Sequence, residues 1–115
     1  MDLNNPCLPN DPLRFIQACV RKRLILWTYH VNIRLRERFI PRQIILDAVE
    51  NYEIIETYAD DKYLPSYLVL AKAGRDAFHT LFAVDVKGYN VRVVTAYWPS
   101  LGEWKDDLKT RRTSR

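Results

Sequence analysis

The sequence predicts an α+β fold in which N-terminal helices pack on a four-stranded antiparallel meander sheet, followed by a short C-terminal helix. Helical spacing of apolar residues extends to about residue 51, and strand-like alternation then appears in four segments. Short turns join those segments, so consecutive strands should pair antiparallel. A chain of 115 residues has the length of one domain, and we expect a single domain over residues 1–115.

The N-terminal part should consist of an arm and an additional helix. Residues 1–11 contain two prolines and three asparagines, which is typical of irregular structure. Asp11 followed by Pro12 is a favourable helix start, because Pro is tolerated at the first helical position and Asp can accept from free backbone N–H groups. Residues 12–27 are therefore assigned to this helix, with its regular part from about Pro12 to Leu24.

Two further helices are predicted before the sheet. Thr28 can cap a helix that runs to about Arg38 and stops before Pro41, because the residue before proline disfavours helical geometry. Pro41 then opens a helix to about Asn51, whose apolar residues recur at i, i+3, i+4 and i+7. That stripe consists of Ile45, Ala48, Val49 and Tyr52.

Four strands and a basic tail complete the prediction. The strands are expected at residues 53–58, 67–72, 77–86 and 91–97. The third and fourth are apolar on both faces, so one face should meet the helices and the other needs a cover or a partner. Trp104 and Leu108 favour a short helix, and residues 105–115 are expected to form a basic, solvated tail.

The net charge of +4 is unevenly distributed. Residues 14–42 contain eight Arg or Lys residues and one acid, whereas residues 43–85 contain three basic residues and eight acids. Residues 105–115 contain five basic residues and two acids. Such segregation favours a positive face that attracts a polyanion. The alternative is that these charges only solvate helix surfaces.

Several classes of protein are disfavoured by the sequence. No apolar run approaches the ~20 residues of a membrane span, and the first residues lack the pattern of a signal peptide. The two cysteines, Cys7 and Cys19, form no CxxC motif and have no histidine nearby in sequence. We therefore expect a cytoplasmic protein without a membrane association, a metal or a cofactor.

An ordered set of residues in 28–104 resembles a known family. The set is His30-x-x-x-Arg34 with Arg38, Ile45, Ala48, Val49, Glu50, Ile54, Glu56, Tyr58, Asp60-Asp61, Pro65-Ser66-Tyr67, His79, Val94-Thr95-Ala96-Tyr97-x-Pro99 and Trp104. In these residues the chain is similar to the bacterial family called domain of unknown function 4258. That family resembles in topology the RelE, ParE and BrnT toxins, several of which cleave messenger RNA and bind an antitoxin. The resemblance implies a RelE-like fold, RNA as a ligand and an antitoxin protein as a partner.

Toxin-type RNA cleavage by the ribose 2′-hydroxyl requires a base, an acid and a cation for the phosphate, but no metal. Histidine titrates near neutral pH, arginine binds phosphate in a two-pronged way, and aromatic rings stack on bases. The candidate catalytic residues are His30, His79 and Arg34, and the candidate nucleic-acid-binding residues are Arg38, Arg92 and Tyr97.

Each candidate also has a structural interpretation. His30 can be a hydrogen-bonded helix-start residue, His79 a satisfied histidine in the sheet, and Tyr97 a packing residue at the sheet end. Arg34 and Arg38 can pair with nearby acids. The alternative function is therefore a non-catalytic binding module, or a module that forms a homodimer. Separation of the two histidines in the structure would favour this alternative.

Overall fold

The computed structural model describes residues 8–113, in which three α-helices accompany a five-stranded sheet. The helices are α1 (Pro12–Arg21), α2 (Tyr29–Glu37) and α3 (Arg42–Asp47), with a 3-10 turn at Val49–Asn51. The strands are β1 (Ile25–Trp27), β2 (Glu53–Tyr58), β3 (Ser66–Ala73), β4 (Asp76–Asp85) and β5 (Asn90–Tyr97). Most of the predicted arm, including Cys7, lies outside the described residues. None of the described helices is long and apolar enough to cross a membrane.

The sheet is mixed, with the strand order β1-β5-β4-β3-β2. Strands β2 to β5 pair antiparallel in sequence order, as the predicted meander requires. β1 adds a fifth strand, which runs parallel to β5 and places Ile25 opposite Val91 and Trp27 opposite Val93. The α+β class is thus confirmed, whereas the prediction of four strands, all antiparallel, is wrong.

β1 occupies the last residues of the segment assigned to the N-terminal helix. That helix ends at Arg21, because Arg23 adopts a left-handed φ of 62° and the chain turns there. The Leu24 amide donates to Cys19 O at 2.8 Å and the Arg23 amide donates to Val20 O at 3.1 Å, which is the Schellman arrangement at a helix end. A strand of three residues is too short to show a period in the sequence, so this element was missed.

The helix starts follow the predicted capping residues. The Arg14 amide donates to Asp11 Oδ1 at 3.1 Å, and the Val31 amide donates to Thr28 Oγ1 at 3.0 Å. Helix α3 follows Pro41 as predicted, but it ends at Asp47 and the 3-10 turn completes the segment.

One hydrophobic core lies between the helices and the sheet face that they cover, here called the inner face. The side chains of a strand alternate between faces, so every second residue of β3, β4 and β5 enters this core. Its buried members include Ile16, Cys19, Val20, Val31, Leu35, Ile45, Val69, Ala71, Phe78, Phe82, Val84, Val91, Val93 and Ala96. The opposite side of the sheet, the outer face, carries no helix among the described residues.

Part of the outer face is covered by residues 100–112, here called the C-terminal strap. Trp104 and Arg111 form an isolated antiparallel bridge, and Trp104 is 1% exposed. Leu108 has a left-handed φ of 60°, and the Asp107 carboxylate accepts from the amides of the two residues after Leu108. These interactions form turns, so the predicted short C-terminal helix is wrong.

The strap is tied to β2 by ion pairs. Lys109 Nζ lies 3.0 Å from Glu53 Oε2, and Arg111 Nε lies 2.7 Å from Glu56 Oε2. Residues 105–112 therefore hold a defined position on the sheet instead of forming the solvated tail expected from the sequence. Residues 114–115 lie outside the described part of the chain.

Candidate functional site

The uncovered part of the outer face contains two adjoining cavities, here together called the outer groove. Their volumes are about 330 and 440 Å³, and both are lined by Asp61. The first is otherwise lined by Tyr58, Leu68, Leu81, Thr95, Tyr97 and Arg111. The second is otherwise lined by Thr28, Lys62, Tyr63, Leu64, Ser66, Ala83, Arg92, Val93 and Val94.

Strand register explains why side chains of β5 reach this groove. Arg92 lies opposite Ala83, and Tyr97 lies opposite His79 on β4. Directly opposed residues of an antiparallel pair point to the same face, so both side chains leave the sheet on its outer face. Arg92 and Tyr97 are five residues apart and would lie on opposite faces of a regular strand. A β-bulge between Leu81 and Phe82 leaves Val94 as an extra residue on β5 and so brings both side chains to the same face.

The second cavity presents two cations and an exposed aromatic ring. Arg92 lies 4.0 Å from the Asp85 carboxylate, a loose pair in which 48% of the Arg92 side chain is exposed. The Lys62 ammonium lies 5.3 Å from the centre of the Tyr63 ring, and Tyr63 is 82% exposed. Such exposed groups are able to contact phosphates and to stack on bases.

The first cavity ends at a cluster of Glu56, Tyr58 and Arg111. The Arg111 guanidinium donates to both carboxylate oxygens of Glu56, at 2.7 and 3.1 Å, and the Tyr58 hydroxyl donates to the same carboxylate. These bonds lower the pKa of Glu56, chiefly through Arg111, so the carboxylate remains ionised. The Arg111 guanidinium also lies 4.5 Å from the centre of the Trp104 ring, which fixes the strap beside the groove.

His79 lies under the strap and is fully buried. Its Nε2 is 2.7 Å from Leu108 O, its Nδ1 is 3.2 Å from the Tyr97 hydroxyl, and its ring centre is 4.4 Å from that of Trp104. With Nε2 as the donor and Nδ1 as the acceptor, a neutral ring satisfies both bonds. Burial lowers the pKa of His79, so the neutral form is favoured further.

Arg38 reaches the sheet from the end of α2. Its Nη1 donates to Thr95 Oγ1 at 3.1 Å and to Ala96 O at 2.8 Å. Thr95 lines the first cavity, so Arg38 supports the rim of the groove from the side of β5 that β1 leaves unpaired.

His30 and Arg34 are not among the residues that line this groove. Both are exposed on α2, whose buried residues Val31 and Leu35 pack on the inner face of the sheet. Arg34 Nη1 lies 3.3 Å from Glu37 Oε1 on the same helix. Thus His79 is buried under the strap and His30 is exposed on α2, whereas Arg92 and Tyr97 line the groove and Arg38 bonds to the groove residue Thr95.

Within residues 8–113, no group of His, Cys, Asp or Glu side chains has an arrangement suited to a metal ion. The family model for the Domain of unknown function (DUF4258) matches residues 27–98. The chain belongs to the DUF4258 family. The matched segment of this DUF4258 chain runs from Trp27, the last residue of β1, to Trp98, and leaves α1 and the strap outside. Neither a curated protein nor a solved structure matches the chain, so its likeness to RelE-type toxins stays a prediction.

Five residues at the groove of the DUF4258 chain were not among the predicted site residues: Glu56, Tyr58, Lys62, Tyr63 and Arg111. Lys62 and Tyr63 lie between two predicted strands, where no periodicity indicates a position in the fold. Glu56 and Tyr58 are two residues apart on β2, which indicates that they share a face of the sheet. The sequence does not indicate which other side chains lie beside them on that face. No local pattern in the sequence indicates that Arg111 lies at the groove, because its position depends on how the strap folds over Trp104.

Proposed function

We propose that this protein is a non-catalytic module that binds single-stranded RNA in the outer groove. The observation that carries the proposal is the grouping of cations and aromatic rings along the outer groove: the exposed Lys62, Arg92 and Tyr63 line its second cavity, and the half-buried Tyr97 lines the adjoining one. Single-stranded RNA is bound by this combination, because phosphates pair with cations while unpaired bases stack on aromatic rings.

The position of the histidines supports binding over histidine-based cleavage. A general acid or base must come within hydrogen-bond distance of the proton that it transfers. His79 has no exposed surface, and its two nitrogens face Leu108 O and the Tyr97 hydroxyl. His30 is exposed on α2 and is not among the residues that line the groove.

The binding proposal is tested by fluorescence anisotropy with a labelled, short, single-stranded oligoribonucleotide. Tyr63→Ala should raise Kd about tenfold, since stacking of one base contributes roughly 1–3 kcal/mol. Arg92→Ala should weaken binding and reduce the slope of log K against log salt by about 0.7, the value for one phosphate contact with a single strand. Arg75→Ala is the matched control, because Arg75 is an exposed arginine in the β3–β4 turn. The proposal would be contradicted if the Kd did not depend on salt concentration, or if Arg75→Ala weakened binding as much as Arg92→Ala.

Metal-independent RNA cleavage in the same groove is the second candidate function. It is favoured by the proximity of a carboxylate, a guanidinium and phenol groups at Glu56, Arg111, Tyr58 and Tyr97. Burial raises the pKa of Tyr97, so its hydroxyl stays protonated. End-labelled RNA incubated with the protein and EDTA should stay intact if the module only binds. Cleavage that Glu56→Gln abolishes would establish the second function, and the expected antitoxin partner would then be sought.

A further inference from the structure

Phe39 occupies a backbone position that favours glycine. It follows α2 with a left-handed φ of 56°, at the point where the Ile40 amide donates to Leu35 O at 2.9 Å and the Phe39 amide donates to Arg36 O at 3.2 Å. This is the Schellman arrangement, whose left-handed residue is usually glycine because a Cβ atom is strained there. The fold by itself would be more stable with glycine at position 39.

The ring of Phe39 gains little from packing in return. Its exposed fraction of 85% is the largest among the bulky apolar side chains of residues 8–113. The other non-glycine residues with left-handed φ in this part of the chain have local contacts that offset the strain. Arg23 donates to Val20 O, the Tyr89 ring lies 5.5 Å from that of Phe15, and Leu108 is half-buried. Backbone strain that packing does not offset indicates that a residue has a role other than stabilising the fold.

Phe39 directly follows Arg38, which connects this corner of the molecule to both Trp98 and the rim of the outer groove. The Trp98 indole donates to Arg38 O at 2.7 Å, and Trp98 is 38% exposed. The Arg38 guanidinium in turn bonds to Thr95, which lines the groove. Arg36 is exposed in the last turn of α2, while the neighbouring Arg34 is paired with Glu37, so one positive charge beside Phe39 is available to a polyanion.

We propose that Phe39, assisted by Trp98, stacks on a base of single-stranded RNA that leaves the outer groove past Thr95. This inference rests on the proposed function and extends the binding surface around the edge of β5. Aromatic rings bind bases without a need for sequence-specific hydrogen bonds, so the contact would accept any base.

The test separates folding from binding with one substitution. Phe39→Gly should raise the midpoint of thermal unfolding while it raises the Kd for the labelled oligoribonucleotide about tenfold. Phe39→Tyr should retain wild-type affinity, because it keeps an aromatic ring. Tyr89→Gly is the matched control, since Tyr89 is also aromatic, exposed and left-handed with φ 53°, but lies in the β4–β5 turn. Tyr89→Gly should bind RNA with the same affinity as the wild type.

Three results would refute the proposed contact between Phe39 and RNA. If Arg92→Ala weakens binding and Phe39→Gly does not, the contact at Phe39 is refuted while the groove remains supported. If the wild-type protein does not bind RNA, both proposals fall. If sedimentation shows a wild-type dimer that Phe39→Gly converts to monomers without a change in RNA affinity, Phe39 is a protein contact and the RNA contact is refuted.

Discussion

His79 should make the stability of the fold depend on pH, and His79→Gln should reduce that dependence. The ring is buried against Trp104 and is bonded to Leu108 O and the Tyr97 hydroxyl. Burial is the main cause of its lowered pKa, with the bond to Leu108 O opposing it. Glu56 also raises this pKa and Arg111 lowers it, each with a smaller effect.

The sign follows from the protons bound in each state. Below its ordinary pKa of 6.5, His79 takes up a proton in the unfolded chain but not yet in the folded protein. The free energy of unfolding should therefore fall as pH decreases from about 6.5 to the lowered pKa of the folded state. The slope is at most about 1.4 kcal/mol per pH unit for this one group. Above pH 6.5 the contribution is constant.

Urea unfolding, followed by tryptophan fluorescence from about pH 7 to about pH 5, measures this slope. Glutamine at position 79 can donate to Leu108 O and accept from Tyr97, but it does not titrate. His30→Gln is the matched control, because His30 is exposed and outside the strap contact. We expect the slope to be smaller in His79→Gln than in the wild type and to be unchanged in His30→Gln. Equal slopes in His79→Gln and the wild type would refute the assignment.

Two stability predictions concern other contacts. Trp104→Ala should lower the free energy of unfolding by about 3–5 kcal/mol, because a fully buried aromatic ring of the strap is lost. A decrease below about 1 kcal/mol in urea unfolding would show that the strap contributes little to stability. Thr28→Ala should cost about 1 kcal/mol in the same assay by removing the bond from the Val31 amide at the start of α2, and an unchanged midpoint would contradict that capping role.

The candidate site could be predicted only in part from the sequence. Arg92 and Tyr97 were selected by residue type, and the structure places both along one groove, with Arg38 at its rim. His79 was also selected by type, but its burial depends on Trp104, which is distant in sequence. Residue type indicates what chemistry a side chain can perform, whereas access to a ligand depends on which other segments cover it.

Local patterns determined most of the helices and strands before the strap. The strand predicted at residues 53–58 is observed as Glu53–Tyr58, and the caps at Asp11 and Thr28 start helices as expected, because periodicity and capping involve residues close in sequence. The tertiary structure decided the parallel pairing of β1 with β5 and the closure of the strap over His79. Both join segments far apart in the chain, and their stability comes from packing and hydrogen bonds that no local pattern encodes.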